Sequence, residues 1–359
     1  MKDLELLSLF SGCGGLDLGF EDAGFVVPLA LDSSKKAVES YNRNRRSSPA
    51  LVCDLSAATA ADLGRLWKEV SGSSPVGVIG GPPCQAFSRG NYRQHDGDLR
   101  RLLPRTYADL LAGLVSQFPT IRFFVFENVT GLLAARHSEY VRDLLGRFSR
   151  AGFNYLHVLK LDAADFGVPQ HRQRVFLVGL RESQERFVPP QAAGAARKTV
   201  RQAIAHLPEP VTFAETKKGA GGARFHLNHW CMTPRSPRFV DNEDTPGSAV
   251  GRSFRRLRWD APSWTVSYGH REVHVHPSGH RRLSVFEAML LQGFPEHYEL
   301  DGSLTDQFRM VSDAVAPPVA EAVAGSVKDW LERQSTSNGH SGQRGRRGLQ
   351  TSAPRSTRA

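Results

Sequence analysis

Cysteine is scarce in this sequence of 359 residues. The chain contains four cysteines, Cys13, Cys53, Cys84 and Cys231, and no CxxC pair. Four cysteines without that spacing are too few for a disulfide scaffold and form no zinc motif, so we expect reduced thiols. The histidines of residues 270–280 lack cysteine partners and lie among strand-like residues. We therefore predict that the chain binds no metal.

Long apolar runs are also missing. No run approaches the roughly 20 residues that a membrane-spanning helix needs, and Met1 to Glu5 carries acids where a signal peptide would be basic and then apolar. With 40% hydrophobic and 23% charged residues, the composition is ordinary for a soluble enzyme with one large and one smaller domain. We expect a cytoplasmic protein without a membrane partner.

Basic residues outnumber acidic residues in two segments, and the rest of the chain is nearly neutral. The formal net charge is +10; residues 185–280 hold fourteen Lys/Arg against eight Asp/Glu, and residues 334–359 hold five arginines and no acid. Basic segments of this kind suit contacts with phosphate, which supply most of the sequence-independent affinity for nucleic acid. A solvated basic surface without a partner is the alternative.

The first pattern present is a strand, a glycine-rich turn and a helix. Leu4 to Phe10 is typical of a buried strand, Ser11 to Gly15 is the turn, and Leu16 to Ala23 is amphipathic. Glycines at a helix N-terminus let the backbone approach a ligand closely, where free N–H groups favour negative charge. The spacing is not the GxGxxG of a dinucleotide site.

Two further units repeat the plan, and each predicted strand ends near an acid. Asp32 follows the strand-like run from Phe25 to Leu31, and Asp54 ends the run that begins at Leu51. An acid at the end of the second strand of such a sheet can accept hydrogen bonds from a ribose diol. Capping of the next helix is the alternative use of Asp32.

A rigid turn presents the third cysteine. Gly80 to Ser88 reads GGPPCQAFS and ends the apolar run from Val76 to Ile79, so two prolines stop the strand and fix the angle at which Cys84 enters the loop. A buried, inert packing cysteine is the alternative. The polar, basic loop that follows, from Arg89 to Arg101, is typical of a lid that touches a phosphate backbone.

One more strand completes the predicted rim. Arg122 to Phe126 is fully apolar after its first residue and leads into Glu127. In a doubly wound sheet, ligands bind outside the carboxyl ends of the strands, so the strand ends carrying Phe10, Asp32, Asp54, Cys84 and Glu127 should lie along one rim. Each residue alone has an ordinary structural explanation, whereas five together predict a site.

These stretches resemble the cytosine-5 DNA methyltransferases that use S-adenosylmethionine. The resemblance covers residues 1–184 and 281–330 and is weak over 185–280. It rests on the following stretches: Phe10 to Gly15 (cofactor loop), Pro83-Cys84-Gln85 (nucleophile), Glu127-Asn128-Val129, Phe166 to Arg174 (QxRxR), and Arg282 to Pro295.

The resemblance implies a cofactor site for S-adenosylmethionine. Phe10 would stack near the adenine, Asp32 would bind the ribose hydroxyls and Asp54 the adenine amine; core packing is the alternative for Phe10. The remaining implied contacts are Ser11, Gly12, Gly14, Gly15, Pro82, Asp313 and Ala314. Ser312-Asp313-Ala314-Val315 departs from the Gly-Asn that the family usually has before its Ala/Ser-Val pair, which weakens the implied contact at that edge.

The resemblance also implies the chemistry. A Cys84 thiolate would add to carbon 6 of cytosine, and Glu127, protonated through a raised pKa, would hydrogen-bond the ring N3 and amine. Arg172 would lie near the cysteine and the base carbonyl, while Arg174 would brace the site; a surface ion pair is the alternative for both. A target base must be flipped out of duplex DNA. Gln85, Ser88 and Arg89 would contact that nucleotide.

The predicted organisation has four parts. A Rossmann-like α/β catalytic domain spans 1–184, a target-recognition domain 185–280, a C-terminal segment returning to the catalytic domain 281–333, and a disordered basic tail 334–359. Within the recognition domain we expect Arg252, Arg255 and Arg256 to contact DNA. Arginine reads guanine in the major groove but binds phosphate equally well, and the sequence does not separate the two.

Three functions are open at this point. A DNA cytosine-5 methyltransferase acting on double-stranded DNA is favoured over its RNA-directed relative because the basic 185–280 segment is sizeable. A DNA-binding regulator without catalysis is disfavoured by intact Cys84, Glu127 and Arg172. The sequence leaves open whether a cognate restriction endonuclease acts on the same site without forming a stable complex.

Overall fold

A computed structural model describes most of the chain. The described residues are 4–46, 50–83, 102–181, 185–192, 194, 196–217, 225–236, 239, 249–250, 254–265 and 274–344. For 249–250, 254 and 336–344 the description covers the backbone only.

A seven-stranded sheet forms the centre, in the order β3-β2-β1-β4-β5-β7-β6. Its first five strands are parallel, and β7 runs antiparallel to both of its neighbours. The strands are β1 (Glu5–Leu9), β2 (Val26–Asp32), β3 (Ala50–Val52), β4 (Gly77–Gly80), β5 (Phe123–Val129), β6 (Tyr155–Asp162) and β7 (Gln173–Leu180). The predicted Rossmann-like α/β architecture is confirmed.

Helices cover both faces of this sheet. One apolar cluster joins α1 (Gly15–Asp22), α2 (Lys35–Arg43) and the long C-terminal helix to one face. A second cluster joins α3 (Ala60–Val70), α4 (Leu103–Gln117) and α5 (Ser138–Arg150) to the other. The sheet is therefore buried on both sides, which explains why its central strands read as continuous apolar runs.

The helix starts follow from short polar signals. Ser34 caps α2 by accepting from the Ala37 N–H, and Thr59 and Asp62 form a capping box at α3. Such caps satisfy N–H groups that have no partner within the helix.

Residues 185–280 contain only short elements among those that the model describes. These are α6 (Val200–Ile204), β8 (Val211–Thr212), α7 (Phe213–Lys217), β9 (Trp230–Cys231), β10 (Ala249–Val250), β11 (Phe254–Arg256) and β12 (His274–Val275). Part of this segment is attached to the catalytic unit: Ser263 forms a β-bridge with Gln170, and Leu257 packs with Val200 and Leu283. The recognition domain with boundaries at 185 and 280 stays a prediction.

The C-terminal segment returns to the sheet as three helices, α8 (Val285–Leu291), α9 (Leu304–Asp313) and α10 (Pro317–Arg344). The prediction of a disordered tail from residue 334 is wrong for residues 334–344, which continue α10. Trp330, Leu331 and Gln334 are buried, so the helix is anchored by packing at this point, and elongation adds one hydrogen bond per residue. Residues 345–359 lie outside the described residues.

Within the described part of the chain, no helix is both long and apolar enough to cross a membrane.

Helix α10 packs closely against α1, and glycine permits this approach. A Cβ built at Gly19 would lie 2.5 Å from Cβ of Ala320, whereas a Cβ at Gly325, on the same helix as Ala320, would contact nothing within 4 Å. The two positions form a matched pair, because one glycine is needed for packing and the other is not.

We expect Gly19→Ala to lower the free energy of unfolding by about 1–3 kcal/mol, because the inserted methyl overpacks the interface. Gly325→Ala should raise it by about 1 kcal/mol, since alanine favours a helix. Urea unfolding followed by circular dichroism measures both. Equal effects of the two substitutions would contradict this packing account.

Candidate active site

The candidate site lies where the strand order reverses. Strands β1 and β4 are neighbours in the sheet although two other strands separate them in the chain, and ligands bind outside the carboxyl ends of strands at such a point. Phe10 follows β1, Asp32 ends β2, Gly81 follows β4, and Glu127 lies near the end of β5. The ends of β1, β2 and β5, with Phe10, Asp32 and Glu127, therefore lie along one edge of the sheet, and Asp54 follows the end of β3 by two residues.

The turn after β1 has an unusual backbone. Phe10 has φ 55°, and it is the one non-glycine residue with positive φ among those described. Such a conformation costs on the order of 1 kcal/mol and persists where surrounding contacts enforce it. The Gly12 N–H donates to Asp32 at 2.8 Å, and Gly14, with φ 90°, precedes α1. The loop is thus fixed to the end of β2.

The glycine-rich loop fits a polar ligand. The Ser11 side chain is buried, and its Oγ has no hydrogen-bond partner. A buried hydroxyl without a partner is costly, which indicates that a group absent from the protein itself completes it. The first N–H groups of α1 lie beside this serine in the chain and favour an anionic group. A carboxylate of a bound cofactor would satisfy both.

The two acids predicted to bind the cofactor, Asp32 and Asp54, differ in their burial and in the direction of their pKa shifts. Asp32 is half-buried, burial raises its pKa, and it accepts from the N–H groups of Gly12 and Ser34 while retaining lone pairs for a diol. Asp54 is exposed and accepts from the Ser56 N–H and hydroxyl, which lower its pKa. Asp54 thus stabilises its own turn, and its contact with an adenine stays a prediction.

Glu127 is the central acid of the rim. Its side chain is buried, and burial raises the pKa of its carboxyl, as predicted, while Arg174 and Arg172 oppose the rise. Arg174 Nε lies 3.1 Å from Glu127 Oε1. A Cβ built at Gly81 would lie 3.1 Å from Glu127 Oε2, so the start of the cysteine loop passes directly beside the carboxyl.

The two arginines of the QxRxR stretch have different partners among the described residues, and their expected roles at the base stay predictions. Arg174, expected to brace, pairs with Glu127; Arg172, expected near the base, donates through one terminal nitrogen to the carbonyl oxygens of Ser312 and Ala314, the latter at 2.9 Å. The register explains this. Glu127 pairs with Phe176 across β5 and β7, which places Arg174 diagonally next to it, whereas Arg172 precedes β7. Arg172 is buried rather than a surface ion pair.

Pro82 is fixed by a residue whose role the sequence did not reveal. Asn128 is buried and donates to the Pro82 carbonyl at 3.2 Å, which holds the chain two residues before Cys84. An amide that follows a charged residue at the end of a buried apolar strand is the signal that indicates such a contact. Cys84 and the predicted DNA contacts Gln85, Ser88 and Arg89 lie outside the described residues.

The C-terminal segment closes the cofactor edge. The Ala314 carbonyl accepts from Gln292 at 2.8 Å in addition to Arg172, and Ala314 and Val315 pack directly against Gly15. Asp313 lies beside Ala314 and pairs with Arg309 at 3.6 Å. Two predicted cofactor residues from opposite ends of the chain, Gly15 and Ala314, are therefore neighbours. Gln292 lies in the stretch that carries the resemblance, but its contact with Ala314 could not be predicted because it depends on distant packing.

The predicted DNA-binding arginines have different environments. Arg255 is half-buried, its guanidinium carbon lies 5.7 Å from the Trp264 ring centre, and its Nε has no partner. Arg256 donates to the Pro277 carbonyl at 3.0 Å, and the neighbouring Arg258 pairs with Asp260 at 2.9 Å. Arg252 lies outside the described residues. Contact of Arg255 and Arg256 with DNA stays a prediction.

The histidine stretch has a structural use where it is described. His276 is buried, its Nδ1 lies 2.8 Å from the Ser278 hydroxyl, and burial lowers its pKa to about 4. No group of three metal-ligating residues occurs in the portion of the chain that the model covers.

Fold and site together define the class of protein: a Rossmann-like α/β enzyme with a glycine-rich cofactor loop and a buried acid beside a cysteine-bearing turn. A family model for C-5 cytosine-specific DNA methylases matches residues 4–329. The chain therefore belongs to this family, which transfers methyl groups from S-adenosylmethionine to carbon 5 of cytosine in DNA through a cysteine adduct. The resemblance predicted from the motifs is confirmed.

Relatives match over nearly the whole chain. The Type II methyltransferase M.NgoPII of Neisseria gonorrhoeae is 29% identical over 92% of this chain and 97% of its own length. M.FnuDI of Fusobacterium nucleatum is 31% identical over 91% and 95%. Both relatives are named as Type II methyltransferases.

Solved structures support the fold. A prophage-encoded E. coli protein described as a DNA modification methyltransferase has a TM-score of 0.74 at 24% identity, covering 92% of this chain and 100% of its own. The Dnmt2 methyltransferase of S. pombe has a TM-score of 0.60 at 18% identity, covering 93% and 99%.

The raised pKa of Glu127 predicts a pH dependence of stability. Folding favours the protonated carboxyl, so this contribution is complete below the unfolded pKa of about 4.3 and is lost as pH rises through the folded value. Glu127→Gln does not titrate. We expect the stability of Glu127→Gln relative to wild type to increase as pH rises above about 5, as measured by urea unfolding.

Asp54→Asn is the control for this experiment. The pKa of Asp54 is lowered, so Asp54 is ionised in both states across that window and its contribution is lost only in more acidic solution. The difference between Asp54→Asn and wild type should stay constant over the same pH range. A constant difference for Glu127→Gln as well would contradict the raised pKa.

Proposed function

We propose that the protein is a DNA (cytosine-5-)-methyltransferase that modifies a cytosine flipped out of a specific duplex sequence, with Cys84 as the nucleophile. The observation that carries this proposal is the buried Glu127–Arg174 pair directly beside Gly81, at the start of the turn that leads to Cys84. This arrangement supports the proposal, because an acid with a raised pKa lies beside the segment that leads to the cysteine.

Glu127 has the properties that the first step requires. Addition of a thiolate to carbon 6 of cytosine moves electron density towards N3 and carbon 5. A protonated Glu127 carboxyl can donate to N3, and its other oxygen can accept from the exocyclic amine. Arg174, fixed by its pairing with Glu127, would face the developing negative charge. This assigns to Arg174 the role near the base that the sequence suggested for Arg172.

Arg172 then connects the two halves of the site. Its guanidinium holds the Ser312 and Ala314 carbonyls, and Ala314 packs against Gly15 of the cofactor loop. When bound, S-adenosylmethionine supplies an electrophilic methyl group. Ser11, Asp32 and the start of α1 would hold it through its carboxylate and ribose, with Phe10 and Pro82 beside it.

Location and partners follow from this chemistry. Because DNA and S-adenosylmethionine are both cytoplasmic in bacteria, we place the enzyme in the cytoplasm. We propose double-stranded DNA as its partner. Any cognate restriction endonuclease would recognise the same sequence without a stable complex, because the two enzymes share a site and not a reaction.

Cys84→Ser should abolish methyl transfer to duplex DNA while leaving S-adenosylmethionine binding intact, since a hydroxyl is a far weaker nucleophile than a thiolate. With 5-fluorocytosine at the target, where the carbon 5 substituent cannot leave, wild type should form a denaturation-resistant adduct that the variant lacks. Tritium transfer and denaturing electrophoresis measure the two.

Cys53→Ser is the matched control, because Cys53 is half-buried and burial raises the pKa of its thiol. It should retain both transfer and adduct formation. Substantial turnover by Cys84→Ser, or transfer to transfer RNA but not to duplex DNA, would overturn the assignment.

Arg255→Gln should weaken DNA binding, whereas Arg258→Gln, which removes a side chain already paired with Asp260, should change it little. A phosphate contact would lower affinity for all sequences and reduce the salt slope by about one unit. A base contact would cost about 1–3 kcal/mol at one position of the site. Binding to cognate and scrambled duplexes at several salt concentrations distinguishes these results. Unchanged binding by Arg255→Gln would remove Arg255 from the DNA interface.

A further inference from the structure

A buried charged cluster lies beneath the glycine-rich loop, outside the residues that the chemistry uses. It brings together one side chain after α2, one near the end of α1 and one from the segment between α8 and α9. Its members are Glu21, Arg45 and Tyr298, with Asp17 and Tyr41 adjoining them.

Arg45 is the centre of the cluster. Its side chain is 8% exposed, and its guanidinium carbon lies 3.8 Å from the Tyr41 ring centre. Its Nε donates to both carboxylate oxygens of Glu21 at 3.0 Å, and one terminal nitrogen donates to the Tyr298 hydroxyl at 3.2 Å. The other terminal nitrogen donates to the Gly14 carbonyl at 3.3 Å. Each nitrogen of the guanidinium is therefore engaged.

The cluster holds the loop through hydrogen bonds to two of the loop's carbonyl oxygens. The Tyr298 hydroxyl donates to the Cys13 carbonyl, and Arg45 donates to that of the next residue, Gly14. The fit is close, because a Cβ at Gly14 would lie 2.7 Å from a terminal nitrogen of Arg45 and 2.8 Å from the Tyr41 ring. Two successive carbonyls of the loop are thus held by the cluster.

A buried acid adds to the need for this cation. Asp17 is fully buried, accepts from the Ser8 hydroxyl at 2.8 Å, and has a pKa raised to about 6 by burial, a rise that Arg45 opposes. Asp17 lies in the first turn of α1, two residues after the loop. Removal of Arg45 would leave two acids, Asp17 and Glu21, without their shared cation, and would release the Gly14 carbonyl.

We propose that Arg45 is a positioning residue for S-adenosylmethionine: by holding the Gly14 carbonyl, and the Cys13 carbonyl through Tyr298, it fixes the loop in its binding-competent form before the cofactor arrives. This inference rests on the proposed function. Holding a loop in the bound conformation improves affinity because less ordering is left to the binding step. The effect belongs to cofactor affinity and not to the chemistry at the base.

The planar guanidinium of arginine is required, because one side chain donates hydrogen bonds to three different partners, Glu21, Tyr298 and Gly14. Lysine has the charge but not the planar fork, so it can retain the interaction with Glu21 and lose one of the carbonyl-side contacts. Arg45→Lys should therefore lie between wild type and Arg45→Met. A purely electrostatic role would make lysine equivalent to arginine.

The experiment compares Arg45→Met, Arg45→Lys and Tyr298→Phe with Arg43→Met. Arg43 lies two residues away and makes only exposed ion pairs with Glu299 and Asp301 among its described contacts, so its variant controls for loss of a nearby positive charge. Calorimetry of S-adenosylmethionine and S-adenosylhomocysteine binding without DNA gives Kd. Hydrogen exchange of the ligand-free protein reports the order of residues 11–15.

We expect Arg45→Met to raise Kd for both ligands about tenfold or more and to speed exchange of residues 11–15, with Arg43→Met close to wild type. At saturating cofactor, kcat should stay within about twofold of wild type. Tyr298→Phe, which keeps the ring, should raise Kd by a smaller factor and serves if Arg45→Met does not fold. If Arg45 supported only global stability, its replacement would lower the melting temperature without raising Kd at nearly unchanged kcat.

An unchanged Kd in Arg45→Met, or in Tyr298→Phe where that variant is used instead, would overturn the inference while leaving the proposed function intact. A wild-type protein that binds neither ligand would contradict the proposed function, and the inference with it. The binding measurement on wild type therefore separates the two failures.

Discussion

The site depends on a buried carboxyl group, that of Glu127, which lies beside the cation of Arg174. Burial raises the pKa of Glu127, and Arg174 at 3.1 Å opposes the rise, so the separation of these groups sets the balance. That separation is fixed by the antiparallel pairing of β5 with β7, which puts Arg174 diagonally across from Glu127. The one reversed strand of the sheet therefore has a chemical consequence at the rim.

The base side and the cofactor side share a mechanical link. Arg172 leaves the chain two residues before Arg174 and holds the turn at Ser312 and Ala314, which packs against Gly15. A shift of this turn would displace both the cofactor loop and the strand that carries Arg174. We regard Arg172 and Arg174 as the residues that keep the base side and the cofactor side aligned with each other. Because Arg172 is buried, this connection is rigid.

Local patterns in the sequence predicted the rim but not the long-range contacts. The first five strands and the rim acids could be located because apolar runs end at glycine or an acid, and a parallel sheet gathers such ends at one edge. The contacts of Arg174 with Glu127 and of Arg172 with the Ser312 and Ala314 carbonyls could not be predicted, because they depend on the β5–β7 register and on distant packing. Arg45 gave no signal, because its partners lie in three distant segments. The continuation of helix α10 past residue 333 was not predicted either, because the polar composition there favours disorder.

The return of the C-terminal segment has a consequence for biosynthesis. Helix α1 and the glycine-rich loop are translated first, yet the surface against which they pack, from Ala314 to Leu331, is translated last among the elements of the fold. Until residues 314–331 have been translated, the cofactor loop has no partner on that side. A chain truncated before Ala314 would therefore carry the cysteine without a completed cofactor site.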